Sequence, residues 1–310
     1  MDLMGDDGAG ELEVFAKEVG GRDHVACVGG RTQWHVGGTP EGMAREVRAP
    51  TGVVTFDPAE MTVRVRGGTT VADLDAALAE GGQMVPLDPT SPELATVGGV
   101  LSVGHSGSRR LRFGPIRDTL LEARFVNAGG KMVKAGGPVV KNVTGFDLCR
   151  LLVGSLGTNG FLAEVVLRAQ PRPPVSRWFV GEDDPAAVRR RLFRPSSILW
   201  DGSVTSVLLE GHDADVRAEQ TALGPQFTEV ADGPKFDDFP YRQSLRPISL
   251  AGLQPNGAAF IAEIGVGTVH WQNPQPRPVV EDEALLDLNQ RVKALFDPLG
   301  RLNPGRRVLS

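Results

Sequence analysis

The sequence predicts an α+β fold divided between a glycine-rich first part and a smaller second part. Alternating apolar and polar runs, typical of strands, occur between short helix-like patterns throughout the chain. Glycine doublets are concentrated before residue 161, and the segment "PRPPV" at 171–175 can continue neither a helix nor a strand. We therefore expect domains at 1–174 and 175–281, followed by a C-terminal segment at 282–310.

The first part contains a strand followed by a capped helix. Residues 61–66, "MTVRVR", alternate between apolar and polar side chains, so the polar positions, including Arg66, are expected to point outward. After two glycines, residues 70–80 predict a helix with Thr70 as its N-cap. Gly81 is then expected to be the left-handed residue that ends the helix.

Two further strand patterns lie near the middle of the chain. Residues 121–137 predict a hairpin that turns at a glycine doublet, and residues 161–168 predict a strand. Three glycines, spaced every third position from 154 to 160, separate that strand from a short helix at 148–152. This order is the reverse of a Rossmann fingerprint or a phosphate loop, in which the glycines lead into a helix. The glycines therefore indicate a different kind of close backbone approach.

The second part has fewer glycines and predicts an antiparallel sheet. Residues 203–211 and 258–271 are typical of strands, and residues 187–193 and 214–223 are typical of helices packed on them. The clearest helix follows at 281–298 and ends at a proline. Its spacing predicts one buried apolar stripe, formed by Leu285, Leu288, Val292, Leu295 and Phe296.

Composition excludes several classes of function. The net charge of -5 and the pI of about 5.6 give no electrostatic support for nucleic-acid binding. No apolar run is long enough to predict direct membrane insertion, and the acidic N-terminus lacks the pattern of a signal peptide, so we expect a cytoplasmic protein. Two isolated cysteines and five histidines without ligand spacing predict no metal site.

Two clusters are suited to binding an anionic ligand. In "VACVGGRTQW" (25–34), a strand runs into a glycine doublet, where successive backbone N–H groups can form an anion nest or an ordinary turn. Residues 89–118 form a long stretch rich in small residues with little periodicity, which predicts a functional loop. Such a loop could wrap a large phosphorylated ligand.

The combination of several blocks resembles one flavoprotein superfamily. The blocks are "TVGG" (96–99), "RFGPIRD" (112–118), residues 136–173 and "FDPLGRLNPGR" (296–306). Together they are similar to the vanillyl-alcohol oxidase and p-cresol methylhydroxylase superfamily, and within it most similar to the FAD-binding subunits of glycolate oxidase. The resemblance implies a two-lobed FAD-binding domain of the p-cresol methylhydroxylase type, a small antiparallel α/β substrate (cap) domain, and a C-terminal segment that returns to the FAD domain.

The resemblance also implies which residues hold a non-covalent FAD. The glycines at 29–30 and the two residues after them would nest the pyrophosphate, the loops at 96–99 and 107–109 would continue along the cofactor, and the strand start at 161 would contact the adenine end. The implied cofactor-binding residues are Gly29, Gly30, Arg31, Thr32, Asp88, Pro89, Thr96, Val97, Gly98, Gly99, Gly107, Ser108, Arg109, Gly157, Gly160, Phe161, Leu162 and Asn303.

No catalytic residue can be assigned from the sequence. Some members of the superfamily attach flavin to a histidine, and His35 and His105 lie near the predicted loops, but neither stands at a convincing attachment position. His270 lies in a predicted strand, where it could face a substrate cavity or simply be a satisfied histidine of the sheet.

The resemblance predicts an FAD-dependent oxidoreductase that oxidises a small 2-hydroxy acid or relays electrons within a complex. Homologous flavoprotein and iron-sulfur subunits are the implied partners, and association with a membrane would occur through them. Two alternatives remain open: a stand-alone FAD oxidase or dehydrogenase of an alcohol or sugar, and a non-catalytic FAD-binding structural subunit.

Overall fold

The strand-forming runs of the sequence build a separate sheet system in each of two structural units. The computed structural model describes residues 7–40, 42–137, 147–253, 257–275 and 283–308. The first unit contains the described residues within 1–105, 115–171 and 280–310, and the second contains those within 106–114 and 172–279. The sequence prediction assigned residues 106–114 to the first part, so their grouping with the second unit differs from that expectation.

Helices are interspersed among the strands along the described part of the chain. The strands of the first unit are β1 (Val25–Cys27), β2 (Arg45–Val47), β3 (Val53–Asp57), β4 (Thr62–Arg66), β5 (Gln83–Met84), β6 (Leu120–Val126), β7 (Met132–Gly136), β8 (Phe161–Arg168) and β9 (Gln170–Pro171). The helices of the chain are α1 (Asp7–Val19), α2 (Val71–Ala79), α3 (Val97–Val103), α4 (Arg110–Phe113), α5 (Leu148–Leu152), α6 (Pro185–Arg191), α7 (Asp213–Leu223) and α8 (Glu283–Phe296).

The main sheet of the first unit has the order β3-β4-β8-β6-β7 and is antiparallel throughout. Strand β8 lies at its centre and is buried on both faces, because apolar side chains alternate onto two different cores. One core packs α2 and α3 against the sheet through residues such as Leu74 and Leu101. The other joins α1, β1 and the start of β8 through residues such as Phe15 and Phe161. The two cores match the predicted two-lobed α+β fold, which is confirmed.

Local signals in the first unit are also confirmed. The Thr70 hydroxyl accepts a hydrogen bond from the Asp73 N–H at 3.1 Å, and α2 begins at the next residue, as expected of an N-cap. The predicted hairpin turns where Asn127 Oδ1 accepts hydrogen bonds from the N–H groups of Gly129 and Lys131, each at 3.0 Å. These elements depend on neighbours in sequence, which is why the sequence pattern was sufficient.

Three local expectations are wrong. Arg66 points inward and is 3% exposed, because it lies opposite Glu164 of β8 and pairs with that carboxylate at 2.6 Å. Helix α2 ends with Gly82, not Gly81, in the left-handed conformation, at φ +66°. The supposed loop at 89–118 contains α3, α4 and a 3-10 turn at Ile116–Asp118.

The expected buried stripe of α8 is also wrong. Leu288 is 47% exposed and Leu295 is 79% exposed, while the side chain of Leu285 lies outside the described residues. Polar contacts also tie the helix to its surroundings. Lys293 Nζ donates to the carbonyl oxygens of Thr158 at 3.0 Å and of Leu302 at 3.1 Å, and it also pairs with Asp297.

The second unit is built on an antiparallel sheet, as predicted. Its strands are β10 (Val175–Gly181), β11 (Ser197–Trp200), β12 (Thr205–Gly211), β13 (Thr228–Val230), β14 (Tyr241–Ser244), β15 (Phe260–Glu263) and β16 (Thr268–Trp271). Their order is β13-β10-β12-β11-β15-β16-β14. Helices α6 and α7 supply Val188 and Val216 to an apolar core with one face of this sheet. The opposite face carries buried polar residues, including Glu210, Glu263 and Thr268.

Candidate cofactor-binding site

The first unit contains a cleft whose wall is formed by segments that are distant in sequence. We call it the glycine cleft. Its lining residues are Cys27, Val28, Gly29, Gly30, Arg31, Thr32, Gln33, Trp34, Ala49, Gly67, Gly68, Thr96, Gly98, Gly99, Val100, Ser102, Val103, Leu156, Gly157, Phe161, Leu162, Asn303 and Arg306. This lining contains two arginines and no aspartate or glutamate, so the wall favours an anionic ligand.

Unpaired backbone N–H groups lie on one side of the glycine cleft. Within the described part of the chain, the five successive N–H groups from Gly29 to Gln33 have no hydrogen-bond acceptor. Arg31 adopts the left-handed conformation at φ +58°, which is uncommon for a residue with a side chain. A left-handed residue within a run of free N–H groups is the geometry of an anion nest. This run is therefore able to bind a phosphate or pyrophosphate.

Glycines allow the backbone segments around the cleft to meet directly. A Cβ atom at Gly30 would overlap the carbonyl oxygen of Leu94, and one at Gly67 would overlap that of Leu162. At Gly98, a Cβ would lie 2.9 Å from the carbonyl oxygen of Gly67. Each contact is to backbone, which cannot rotate away as a side chain can. Any larger residue at these positions would push the walls of the cleft apart.

The segment from Thr96 to Gly99 starts a helix rather than a loop. Thr96 is the N-cap of α3, and its hydroxyl accepts a hydrogen bond from the Gly99 N–H at 3.2 Å. Gly98 and Gly99 therefore have helical backbone, and neither has a positive φ. In this segment the glycines serve close approach.

The C-terminal segment forms the floor of the cleft. Val25 of β1 donates to the Arg301 carbonyl oxygen at 2.9 Å, and the Asn303 N–H donates to the Val25 carbonyl oxygen at 2.8 Å. Arg301 is 1% exposed and donates to three backbone carbonyl oxygens, those of Asp23, Ala128 and Val19, at 2.7 to 2.9 Å. Residues 301–303 therefore pair with β1 as an additional strand-like segment.

Asn303 joins the two sides of this floor. Its Oδ1 accepts a hydrogen bond from the Cys27 N–H at 3.0 Å, and its Nδ2 donates to the Leu156 carbonyl oxygen at 2.6 Å. The residue is 5% exposed and has φ +44°. The sequence comparison expected its amide to address a ligand, whereas these contacts bind backbone on both sides of it.

Two arginines flank the indole of Trp34 beside the nest. The guanidinium carbon of Arg31 lies 5.0 Å from the ring centroid, and that of Arg306 lies 4.5 Å from it. Arg31 pairs with Glu46. Arg306 donates to the carbonyl oxygens of Val36 and Trp34. Burial lowers the pKa of the Arg306 guanidinium. Burial also raises the pKa of the Cys27 thiol, another lining residue of the cleft, to about 12. Cys27 is therefore a neutral wall residue.

The structure brings together many, but not all, of the expected cofactor-binding residues. Those that line the glycine cleft are Gly29, Gly30, Arg31, Thr32, Thr96, Gly98, Gly99, Gly157, Phe161, Leu162 and Asn303. Those outside its lining are Asp88, Pro89, Val97, Gly107, Ser108, Arg109 and Gly160.

The residues outside the lining have other surroundings. Val97 is fully buried in the core, and a Cβ at Gly160 would overlap the Phe125 ring, so this glycine serves packing. Residues 107–109 belong to the second unit, where the Arg109 guanidinium pairs with Glu210 at 3.0 Å. Asp88 and its neighbour Pro89 follow the buried Leu87 in a turn, with Asp88 at φ +43°.

Sequence reasoning missed several lining residues. Gly67 and Gly68 were not among the expected cofactor-binding residues, although a glycine doublet after a strand was the same signal that identified Gly29 and Gly30. Trp34 and Arg306 had no local signal. They meet only because the C-terminal segment packs beside β1.

The second unit contains a charged cluster on the sheet face opposite its core. His270 Nε2 lies 2.6 Å from Glu263 Oε1, and the two side chains are 16% and 3% exposed. Arg242 lies opposite His270 in the strand register, and its Nη2 donates to Thr268 Oγ1 at 3.3 Å. Burial lowers the pKa of Arg242, Glu263 opposes this, and the positive charge of Arg110 adds to it. The cluster therefore combines two guanidinium groups, one carboxylate and an oriented imidazole.

Among the residues that the structure describes, no group of three His, Cys, Asp or Glu side chains is placed to hold a metal ion. Over the same ranges, every helix is too short or too polar to cross a lipid bilayer.

Comparisons with known proteins agree with this geometry. Residues 15–136 match the family model described as "FAD binding domain". The chain is 32% identical to glycolate oxidase subunit GlcE of Escherichia coli K12, over 95% of both chains. It is 33% identical to glycolate oxidase subunit GlcD of Bacillus subtilis, over 40% of this chain and 27% of that protein. An alkyldihydroxyacetonephosphate synthase structure shares the fold, with a TM-score of 0.69 at 16% identity, over 96% of this chain and 74% of that one.

The residues of the glycine cleft fit FAD. The nest offers free N–H groups to a pyrophosphate. Glycines let the backbone segments that form the wall of the cleft approach one another directly. The cleft contains no acid that would repel the phosphates. With this fit and with identity to GlcE over nearly the whole of both chains, the protein is an FAD-binding oxidoreductase that belongs to the glycolate oxidase subunit GlcE family.

Proposed function

We propose that this chain is the GlcE-type FAD subunit of a glycolate oxidase complex and that it oxidises a small 2-hydroxy acid. The similarity to GlcE over 95% of both chains supports this proposal most strongly. Partial similarity to GlcD and to a D-lactate dehydrogenase of Arabidopsis thaliana, at 37% identity over 37% of this chain, supports the same substrate class.

The cofactor would be held by the cleft of the first unit. The nest at residues 29–33 would bind the pyrophosphate, and the backbone near Gly157, Phe161 and Leu162 would bind the adenine end. Bound FAD supplies the acceptor for the hydride that leaves the substrate carbon. The protein supplies binding, orientation and a proton acceptor.

The charged cluster of the second unit has the chemistry to handle the substrate. Arg242 and Arg110 can bind a carboxylate, because the cluster places two guanidinium groups beside a single carboxylate, Glu263, whose Oε1 contacts His270. If Nε2 of His270 carries the proton shared with Glu263, Nδ1 remains the acceptor for the hydroxyl proton. A buried carboxylate that orients a histidine in this way is a common arrangement for a general base.

The partners would be a homologous GlcD-type flavoprotein and an iron-sulfur subunit that receives the electrons. Association of the chain with a membrane would then occur through that complex. The relatives GlcE and GlcD are each a subunit of a glycolate oxidase, which supports a complex. The iron-sulfur subunit and the membrane association rest on the resemblance described in the sequence analysis.

Anaerobic flavin reduction tests the proposal. The purified chain, alone and co-purified with its partners, is mixed with glycolate, D-lactate or a simple alcohol, and loss of the visible flavin absorbance is followed. We expect glycolate or lactate to bleach the flavin and the alcohol to leave it oxidised. His270→Gln should slow bleaching at least about 100-fold, the lower range for loss of a general base. His212→Gln changes an exposed histidine at the start of α7 and should leave the rate unchanged.

The other outcomes separate the alternatives. Bleaching by an alcohol or sugar, but by neither hydroxy acid, would identify a stand-alone oxidase of another class. A flavin that no substrate reduces, in the isolated chain or in the complex, would contradict the proposal and favour a structural FAD subunit.

A further inference from the structure

Arg306 is the one cation of the glycine cleft that lacks a carboxylate partner among the residues described. Of the two arginines in the lining, Arg31 is neutralised by Glu46. No described aspartate or glutamate lies within 4.0 Å of the Arg306 guanidinium, which donates to the carbonyl oxygens of Val36 and Trp34 and lies over the Trp34 ring. Two of its five N–H donors are used, which leaves three for a ligand.

The position of Arg306 is fixed from two directions. The Trp34 indole supports one face of the guanidinium at 4.5 Å, and the hydrogen bond to the Trp34 carbonyl oxygen, at 3.0 Å, sets the rotation of the fork. Trp34 directly follows the nest at residues 29–33, and its own N–H donates to the Arg31 carbonyl oxygen. The guanidinium is therefore held next to the five free N–H groups.

This placement has an energetic cost in the protein without ligand. A half-buried guanidinium loses hydration, and burial is the reason that the pKa of Arg306 is lowered. A partly desolvated charge without a counter-charge is unfavourable and becomes favourable when an anion binds beside it. The cleft therefore combines an anion nest with a cation whose counter-charge must come from a ligand.

We infer that Arg306 is a binding residue for the FAD pyrophosphate and supplies the counter-charge that the backbone nest alone lacks. The Trp34 ring packs against the guanidinium and holds it in position beside the nest. This role concerns cofactor binding alone and is independent of the substrate that the protein oxidises.

Cofactor binding to the apoprotein tests the inference without any activity measurement. The dissociation constants of FAD, ADP and adenosine are measured by fluorescence quenching and by displacement of FAD, for the wild type, Arg306→Met and Arg306→Lys. The control is Arg307→Met, which removes the same charge from the neighbouring exposed residue outside the cleft lining.

Hydrogen bonds to charged groups contribute about 1.5–3 kcal/mol, which corresponds to roughly 10- to 150-fold in affinity. We expect Arg306→Met to weaken FAD and ADP binding by about that factor and adenosine binding by less than about twofold. Arg306→Lys should retain part of the affinity, because it keeps the charge but not the planar fork. The affinity of Arg306→Met for FAD should also depend less on ionic strength. Arg307→Met should bind all three ligands as the wild type does.

Two results would overturn the inference. Equal losses for FAD, ADP and adenosine would mean that Arg306 only supports the backbone at residues 34–36. Unchanged FAD affinity in Arg306→Met, with unchanged ionic-strength dependence, would mean that the guanidinium does not reach the pyrophosphate. Neither result depends on whether the protein oxidises glycolate.

Discussion

The main effect of Asn303→Ala should be a lower free energy of unfolding of the apoprotein, rather than a change in a property of the flavin. The wild-type amide satisfies two backbone groups, the Cys27 N–H at 3.0 Å and the Leu156 carbonyl oxygen at 2.6 Å, and it is 5% exposed. An unsatisfied buried donor or acceptor costs about 1–3 kcal/mol, so two of them amount to about 2–6 kcal/mol. Alanine at φ +44° carries about 1–2 kcal/mol of backbone strain. Asparagine carries a smaller strain at the same φ, so only the difference between the two adds to the loss.

The assay is urea unfolding of the apoprotein followed by circular dichroism, with FAD binding measured separately. Asn159→Ala is a matched control, because Asn159 is 6% exposed and donates one hydrogen bond, to the Leu151 carbonyl oxygen at 3.2 Å, outside the cleft lining. We expect its free energy of unfolding to fall by about 1–3 kcal/mol, roughly half the loss in Asn303→Ala.

One result would refute this reasoning. If the Asn303→Ala apoprotein unfolds at the same urea concentration as the wild type, yet binds FAD weakly or with an altered absorbance spectrum, the amide addresses the flavin. The backbone bridge would then be dispensable, as the sequence comparison originally implied.

Three further predictions follow from the same contacts. Gly30→Ala should lower the free energy of unfolding by about 3 kcal/mol and prevent FAD retention on gel filtration, because its Cβ would overlap the Leu94 carbonyl oxygen. Gly10→Ala, in α1 with open space around it, should be neutral or stabilising by up to about 1 kcal/mol, and equal losses in both variants would contradict this reasoning. Burial raises the thiol pKa of Cys27 to about 12 and of Cys149 to about 11 from 9.0, so the neutral thiol is favoured by folding. The contribution of these thiols to the free energy of unfolding is complete below pH 9 and should be lost as the pH rises from 9 to 12. When both cysteines are replaced by alanine, stability should fall less steeply over that range. Unfolding curves recorded at alkaline pH check this. Finally, acid or heat should release intact FAD into the supernatant, and flavin that stays with the denatured chain would instead indicate covalent attachment to a histidine.

The sequence predicted those parts of the fold that depend on neighbours along the chain. The Thr70 cap and the hairpin at Asn127 are examples, because each is set by hydrogen bonds within about four residues. Arg66 shows the limit of this approach. Alternation correctly separated the two faces of β4, but the presence of Glu164 opposite Arg66 depends on strand register, which the pattern of one strand does not contain.

Helix α8 is a second example of a contact that the sequence pattern cannot predict. Periodicity correctly indicates that Leu288 and Leu295 share a face, but it carries no information about whether another surface covers that face. Lys293 of α8 donates hydrogen bonds to carbonyl oxygens, and carbonyl groups have no sequence signature.

The candidate site was partly predictable for a related reason. Glycine doublets mark places where backbones approach closely, so Gly29, Gly30 and Gly98 could be identified without a structure. The partners of each approach, such as Leu94 and Leu162, could not, since any residue can offer a carbonyl oxygen. Arg306 and Trp34 are 272 residues apart and became neighbours only through the tertiary fold.

The pairing of β1 with residues 301–303 has a consequence for the order of synthesis. A ribosome completes β1 early and the whole second unit later. Only afterwards does it make residues 301–303, which form hydrogen bonds with Val25. The nest can be translated long before its floor exists, so a nascent chain halted within the second unit cannot bind the cofactor as the finished protein does. Cofactor retention therefore has to wait until residues 301–303 have been made, and the loop-closure entropy of bringing the two segments together must be overcome before the first cofactor can be retained.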